Sequence, residues 1–141
     1  MARKGLPTLI RLRSFELEEK RRALAELEQV AERLEQAIRD VDSQVEEEKQ
    51  IATKDYVLAR YFPAYLQAAK ERRQTLVANR LDIGQQIDAA KEQVTIAYQE
   101  LKKLEIAQAI REKREKEEAD RREQLMLDEI AIEGYRRRDA S

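Results

Sequence analysis

The fold is decided by the stretch Leu24-Ala-Glu-Leu27-Glu-Gln-Val-Ala31-Glu-Arg-Leu34-Glu-Gln-Ala-Ile38-Arg-Asp-Val41-Asp-Ser-Gln-Val45. Its apolar residues alternate by three and four, as in the a/d stripe of a helix that buries one narrow seam against another helix. Counted in sevens, one apolar column of this stripe runs from Ile10 to Leu66. The polar residues Lys20 and Glu48 interrupt the second column.

The second half of the chain repeats this pattern. Apolar residues alternate by four and three at Ile83, Ile87, Ala90, Val94, Ala97, Leu101 and Leu104. Arg73 and Arg80 break one column upstream. A disordered chain has no reason to hold such a register, so the high charge and few aromatics do not indicate disorder over residues 9–107. The pattern predicts an all-α protein, a long antiparallel two-helix coiled-coil hairpin.

The reversal between the two halves is predicted near Pro63. Proline lacks an N–H, disfavours helix at the preceding residue and suits the first turn of a new helix. We predict one coiled-coil domain over residues 1–141, with helix one over 8–58, a turn over 58–63 and helix two over 63–134. A turn near residue 61 places residue 10 opposite residue 112, so the C-terminal helix overhangs its partner. A single kinked helix is the alternative.

Composition limits the possible functions. The chain has 141 residues, 40 % of them charged, with a net charge of −1 from interleaved signs, so no strong attraction to nucleic acid is expected. It has no Cys and no His, and no apolar run approaches the ~20 residues that span a bilayer. No phosphate-binding loop or nucleophile motif occurs, and a two-helix rod has no pocket to tune a carboxylate. We therefore expect no enzyme activity, no metal and no cofactor.

Two apolar clusters are candidate protein-binding sites. The aromatic residues Tyr56, Tyr61, Phe62 and Tyr65 gather at the predicted turn, where they either pack on one another or form an exposed docking patch. The second cluster is Leu125–Ile132, which has no partner inside the predicted hairpin and includes Leu125, Leu127 and Ile130. It follows the charged segment Arg111–Glu123 and precedes Gly134, which is predicted to end the helix.

Three stretches together resemble the FliJ family, the small coiled-coil subunit of the flagellar type III export ATPase complex. The opening Leu9-Ile-Arg-Leu-Arg-Ser-Phe-Glu-Leu-Glu-Glu-Lys-Arg-Arg-Ala-Leu-Ala-Glu26 looks like the family's N-terminal helix. Leu127-Asp-Glu-Ile-Ala131 is similar to its C-terminal Asp-Glu block. The spacing of Phe62, Leu66, Ala69 and Arg73 looks like the family's surface patch on helix two, and Tyr56 alone matches the companion row on helix one.

The resemblance implies a non-enzymatic stalk in flagellum biogenesis, protein export and motility. Such a stalk lies within the export ATPase ring and promotes its assembly. It contacts the cytoplasmic linker of the export gate's membrane component, here through Phe62, Leu66, Ala69 and Arg73, and it handles export chaperones. The implied location is cytoplasmic, peripheral at the cytoplasmic face of the flagellar base, without direct membrane insertion.

Two alternatives remain at this point. The chain could be the equivalent stalk of a virulence type III secretion system. It could also be a structural coiled-coil homodimer, with two copies associating through the same seams or through Leu125–Ile132.

Overall fold

The computed structural model describes the backbone of residues 2–140 and the side chains of residues 5–140. Two α-helices, α1 (Ala2–Lys54) and α2 (Phe62–Ala140), are joined by a short 3₁₀ turn over Leu58–Arg60. No strand occurs among the residues described. The all-α prediction is confirmed. The chain divides into two compact units, one of Phe15–Tyr98 and the other of Met1–Ser14 with Gln99–Ser141.

The unit Phe15–Tyr98 is an antiparallel helical hairpin. Arg73 Nε lies 2.8 Å from Asp42 Oδ1, and Arg80 Nε lies 2.9 Å from Glu35 Oε1. The residue numbers of each pair add to 115, so α1 and α2 run in opposite directions with one constant register. The predicted turn near residue 61 would have paired residues whose numbers add to about 122. The observed reversal is therefore centred three to four residues earlier in the chain.

The predicted seam is the buried face of this hairpin. On α1 every predicted apolar seam position from Leu17 to Ala52 is buried or half-buried, and the interrupting Lys20 and Glu48 are exposed. On α2 the same holds from Leu66 to Ala97, and Arg73 is exposed. The most buried side chains are small or medium aliphatic residues: Leu17, Ala31, Val41 and Ile87. A row of aliphatic side chains one layer deep thus holds the two helices together.

The other unit combines the start of α1 with the last 42 residues of α2 that the structure describes. Along α2 the less exposed residues Leu101, Leu104, Gln108, Arg111 and Glu115 continue the three–four spacing, and Glu105 beside Leu104 is also half-buried. Beyond Glu115, every described residue except Gly134 is exposed. Burial on α2 therefore ends at Glu115, where the seam has already become polar. We name residues 116–140 the C-terminal segment.

The helix ends differ from the predicted ones for local reasons. Helix α1 begins at Ala2 instead of residue 8 and contains Pro7, whose missing N–H costs the helix one backbone hydrogen bond. Helix α1 ends at Lys54 instead of residue 58, because Asp55 caps the turn. Helix α2 continues to Ala140, past Gly134. Glycine ends a helix in the left-handed conformation, and no described residue has a positive φ.

Candidate functional site

The turn between the helices is built by Asp55. Its Oδ1 accepts the backbone N–H of Val57 at 2.9 Å and of Leu58 at 3.3 Å, and its carbonyl accepts the N–H of Ala59 at 3.0 Å. The N–H of Tyr61 then donates to the carbonyl of Leu58 at 3.0 Å. An aspartate that caps successive N–H groups favours a turn over further helix. The backbone between the helices is consequently hydrogen-bonded and ordered.

The turn separates the four clustered aromatic residues into two kinds. Phe62 and Tyr65 are half-buried, as expected of side chains that pack at the end of the hairpin. Tyr56 is 90 % exposed and Tyr61 is 67 % exposed, and Val57 and Leu58 between them are also exposed. We name the exposed residues of the turn the turn surface: Tyr56, Val57, Leu58, Arg60 and Tyr61.

The row predicted as a surface patch on helix two lies along the seam. Phe62, Leu66 and Ala69 are half-buried, and their spacings of four and three are those of the residues that pack on α1. The fourth member, Arg73, donates hydrogen bonds to both oxygens of Asp42 on α1. We keep the name helix-two row for these four residues. A partner could reach its members only from the open sides of the seam.

The pairing with Asp42 also affects the pKa of Arg73. The hydrogen bond to Asp42, and then the Coulomb attraction of its carboxylate, raise the pKa of Arg73 above its ordinary value. A base with a raised pKa contributes stability at every pH below its unfolded pKa and loses it only above the folded one. Arg73 therefore remains a cation throughout the physiological range.

The C-terminal segment carries the largest set of exposed apolar side chains. Six of them are between 53 % and 71 % exposed: Leu125, Met126, Leu127, Ile130, Ile132 and Tyr135. Leu125, Met126 and Leu127 are consecutive, and successive helical residues point about 100° apart, so these three alone span more than half of the helix circumference. The segment therefore presents apolar groups in several directions instead of one stripe.

Some of these residues could not be found from the sequence. Tyr135 follows Gly134 and lies beyond the predicted end of helix two at residue 134. Val57 and Leu58 lie at the end of the predicted helix one, residues 8–58, and so were expected to be helical. Only the position of Asp55 just before them signals the turn, through its preference for capping.

The remaining surface of the described residues consists of open grooves without clustered metal ligands. No group of three or more Asp or Glu side chains is placed to hold a metal ion in the part of the chain whose side chains are described. Within the same part, no helix is long and apolar enough to cross a membrane. The grooves at the turn and along α2 are shallow and open, and they are lined by residues of a single segment.

Comparison with known families decides what kind of protein this is. The sequence matches the FliJ family, described as the flagellar FliJ protein, over residues 3–140. The chain belongs to the FliJ family. FliJ proteins are non-catalytic components of flagellar export, so this chain is a flagellar export-related protein that associates with the export apparatus. No curated protein and no solved structure matches it significantly.

Proposed function

We propose that this FliJ-family protein is the stalk of the flagellar export ATPase, and that its C-terminal segment binds inside the ATPase ring. The observation that carries the proposal is the exposure of apolar side chains on several sides of one helix. A helix that is apolar in several directions is stable when it is enclosed, whereas a single stripe suffices for one partner helix. A ring of subunits provides such an enclosure.

Promotion of ring assembly follows from linkage. A rod that binds the closed ring and not the separate subunits lowers the free energy of the closed form and shifts the population toward it. The stalk needs no catalytic group for this effect. The charged stretch Arg111–Glu123, with six residues of each sign, would add many weak contacts that screening by salt reduces.

The contact with the export gate is proposed for the opposite end of α2, at the helix-two row together with Tyr56. Support comes from the family resemblance of the row and from its position directly after the exposed turn. Phe62, Leu66 and Ala69 retain part of their surface at the edges of the seam. Binding of export chaperones and a cytoplasmic position at the flagellar base complete the proposed role.

The test is ATP hydrolysis and ring assembly by the organism's purified export ATPase, with and without this protein. We expect the wild-type chain to stimulate both and the variant Leu127→Asp/Ile130→Asp to lose the stimulation. Leu81→Asp is the matched control, because Leu81 is 67 % exposed on the same helix within the unit Phe15–Tyr98. An ATPase unaffected by saturating wild-type protein would overturn the proposal.

The exposed C-terminal segment also favours a second candidate, a coiled-coil scaffold that dimerises through residues 125–132. Sedimentation across a concentration series separates the two functions. A monomer at all concentrations agrees with the stalk. A dimer that dissociates in the Leu127→Asp/Ile130→Asp variant, together with an unresponsive ATPase, agrees with the scaffold.

A further inference from the structure

We infer that the turn surface is a second binding site, and that it takes a short acidic segment of a partner protein that also carries apolar side chains. The inference rests on three features of the turn: its exposed apolar side chains, its ordered backbone and its local positive charge. It shares Tyr56 with the proposed gate contact, differs from it in Val57, Leu58, Arg60 and Tyr61, and does not depend on the C-terminal segment.

The apolar part of this site is unusually exposed. Tyr56 and Tyr61 stand mostly in solvent, and Val57 and Leu58 lie between them in the chain at 60 % and 46 % exposure. Four exposed apolar side chains thus occur within six residues, and a concentration of exposed apolar surface marks an interaction site more often than chance exposure. Tyrosine is among the residues that contribute most to binding at protein interfaces.

The backbone under this patch is already arranged for binding. The two N–H groups capped by Asp55 and the hydrogen bond from the Tyr61 N–H to the Leu58 carbonyl fix the backbone of the turn. A preformed surface loses less conformational entropy when a partner binds than a flexible loop does. The turn also contributes Arg60, an exposed guanidinium that forms no ion pair among the residues with described side chains.

Charge identifies the partner. Residues 49–66, which form the turn end of the hairpin, contain three bases, Lys49, Lys54 and Arg60, and one acid, Asp55. The next layer, residues 40–48 with 67–75, contains six acids and three bases. The turn end is therefore a positive cap above a negative collar. A carboxylate-bearing segment is attracted to the cap and repelled below it, which limits the contact to the turn surface.

Arg60 and the hydroxyl groups of Tyr56 and Tyr61 supply hydrogen-bond donors for the carboxylates of this partner. A guanidinium binds a carboxylate through paired hydrogen bonds that are stronger than neutral ones. The tyrosine rings provide apolar contact beside it. Nucleic acid fits less well, because three cations above an acidic collar cannot follow a phosphate backbone.

The experiment measures binding of the full chain to fluorescent peptides by anisotropy. The probe is a short peptide in which glutamate alternates with leucine, and the comparison peptides carry glutamine or lysine in place of glutamate. Vesicles of phosphatidylglycerol form a further arm. We expect the glutamate peptide to bind at least about tenfold more tightly than the others, with an affinity that falls as salt increases.

Substitutions in the turn surface, compared with substitutions elsewhere, test whether the peptide binds at the turn surface. The double variant Tyr56→Ser/Tyr61→Ser and the variant Arg60→Glu should each bind the glutamate peptide about tenfold more weakly than the wild type does. Tyr135→Ser and Arg33→Glu are the matched controls, since both residues are exposed far from the turn in the chain, and they should bind as the wild type does. Circular dichroism checks that every variant remains helical.

Three results would overturn the inference. These are equal affinity for all three peptides, equal losses in turn and control variants, and binding to vesicles without binding to the glutamate peptide. The assay contains no export ATPase, so its failure leaves the stalk proposal standing, and a failed ATPase assay leaves this inference standing.

Discussion

Arg80 on α2 occupies a seam position, and its Nε lies 2.9 Å from Glu35 Oε1 on α1. Seven residues earlier on α2, Arg73 pairs with Asp42, which is seven residues later on α1. Each of the two arginines that interrupt the apolar column is thus paired with a carboxylate of the facing helix. A Cβ at Gly84 would lie 3.2 Å from Arg80 Nη1, so the glycine one turn further leaves room for the guanidinium.

The first prediction concerns the energetic value of this pair. Both side chains are partly exposed, so Glu35→Ala should lower the free energy of unfolding by no more than about 1 kcal/mol. Arg80→Leu should raise it, because an aliphatic residue in a seam is often more stabilising than an ion pair. Urea unfolding followed by circular dichroism measures both. Arg33→Leu, on the exposed side of α1, is the control, and a fall in stability for Arg80→Leu would show that the ion pair itself stabilises the hairpin.

The second prediction concerns the seam itself. Ile87 is 9 % exposed, whereas Ile96 on the same helix is 44 % exposed. Ile87→Ala should destabilise the hairpin by about 2–3 kcal/mol, because it removes buried methyl groups and leaves a cavity. Ile96→Ala should cost less than about 1 kcal/mol. The comparison uses the same urea titration, and equal losses would contradict the assignment of Ile87 to the seam.

The third prediction concerns the turn. Asp55→Ala removes the acceptor of two backbone N–H groups and should lower the free energy of unfolding by about 1 kcal/mol. Asp55→Asn keeps a side-chain oxygen and should retain most of the stability. The expected order of denaturation midpoints is wild type, Asn variant, Ala variant. If the two variants were equally stable, capping by the side-chain oxygen would not be what orders the turn.

The fourth prediction separates binding from folding in the C-terminal segment. Leu127 and Ile130 are 53 % and 61 % exposed, so Leu127→Asp/Ile130→Asp should leave the urea midpoint within about 0.5 kcal/mol of the wild type. Any concentration-dependent association should decrease. Unfolding and sedimentation of the same samples measure the two effects. A large loss of stability would mean that these side chains support the fold. The ATPase assay would then have to be repeated with a variant of the C-terminal segment that folds normally.

Some features of the site could be predicted because they depend on local pattern. The exposure of Leu125–Ile132 follows from the seam, which stops being apolar after Leu104 and leaves nothing to cover later residues. The turn surface was predicted only in part. Its aromatic residues were recognised, but the exposed Tyr56 and Tyr61 could not be told from the half-buried Phe62 and Tyr65, because their order in the chain does not show on which side of the reversal each residue points.

The sequence by itself determined that this protein is a long helical chain with one narrow apolar seam, since a three–four repeat has low free energy only when that stripe is buried. It did not determine where the chain reverses, because the apolar column continues through the turn and several registers bury similar aliphatic surface. The tertiary structure decided the register. The observed alignment pairs Arg73 with Asp42 and Arg80 with Glu35 while Asp55 caps the turn, and these contacts join residues far apart in the chain, which no local pattern specifies.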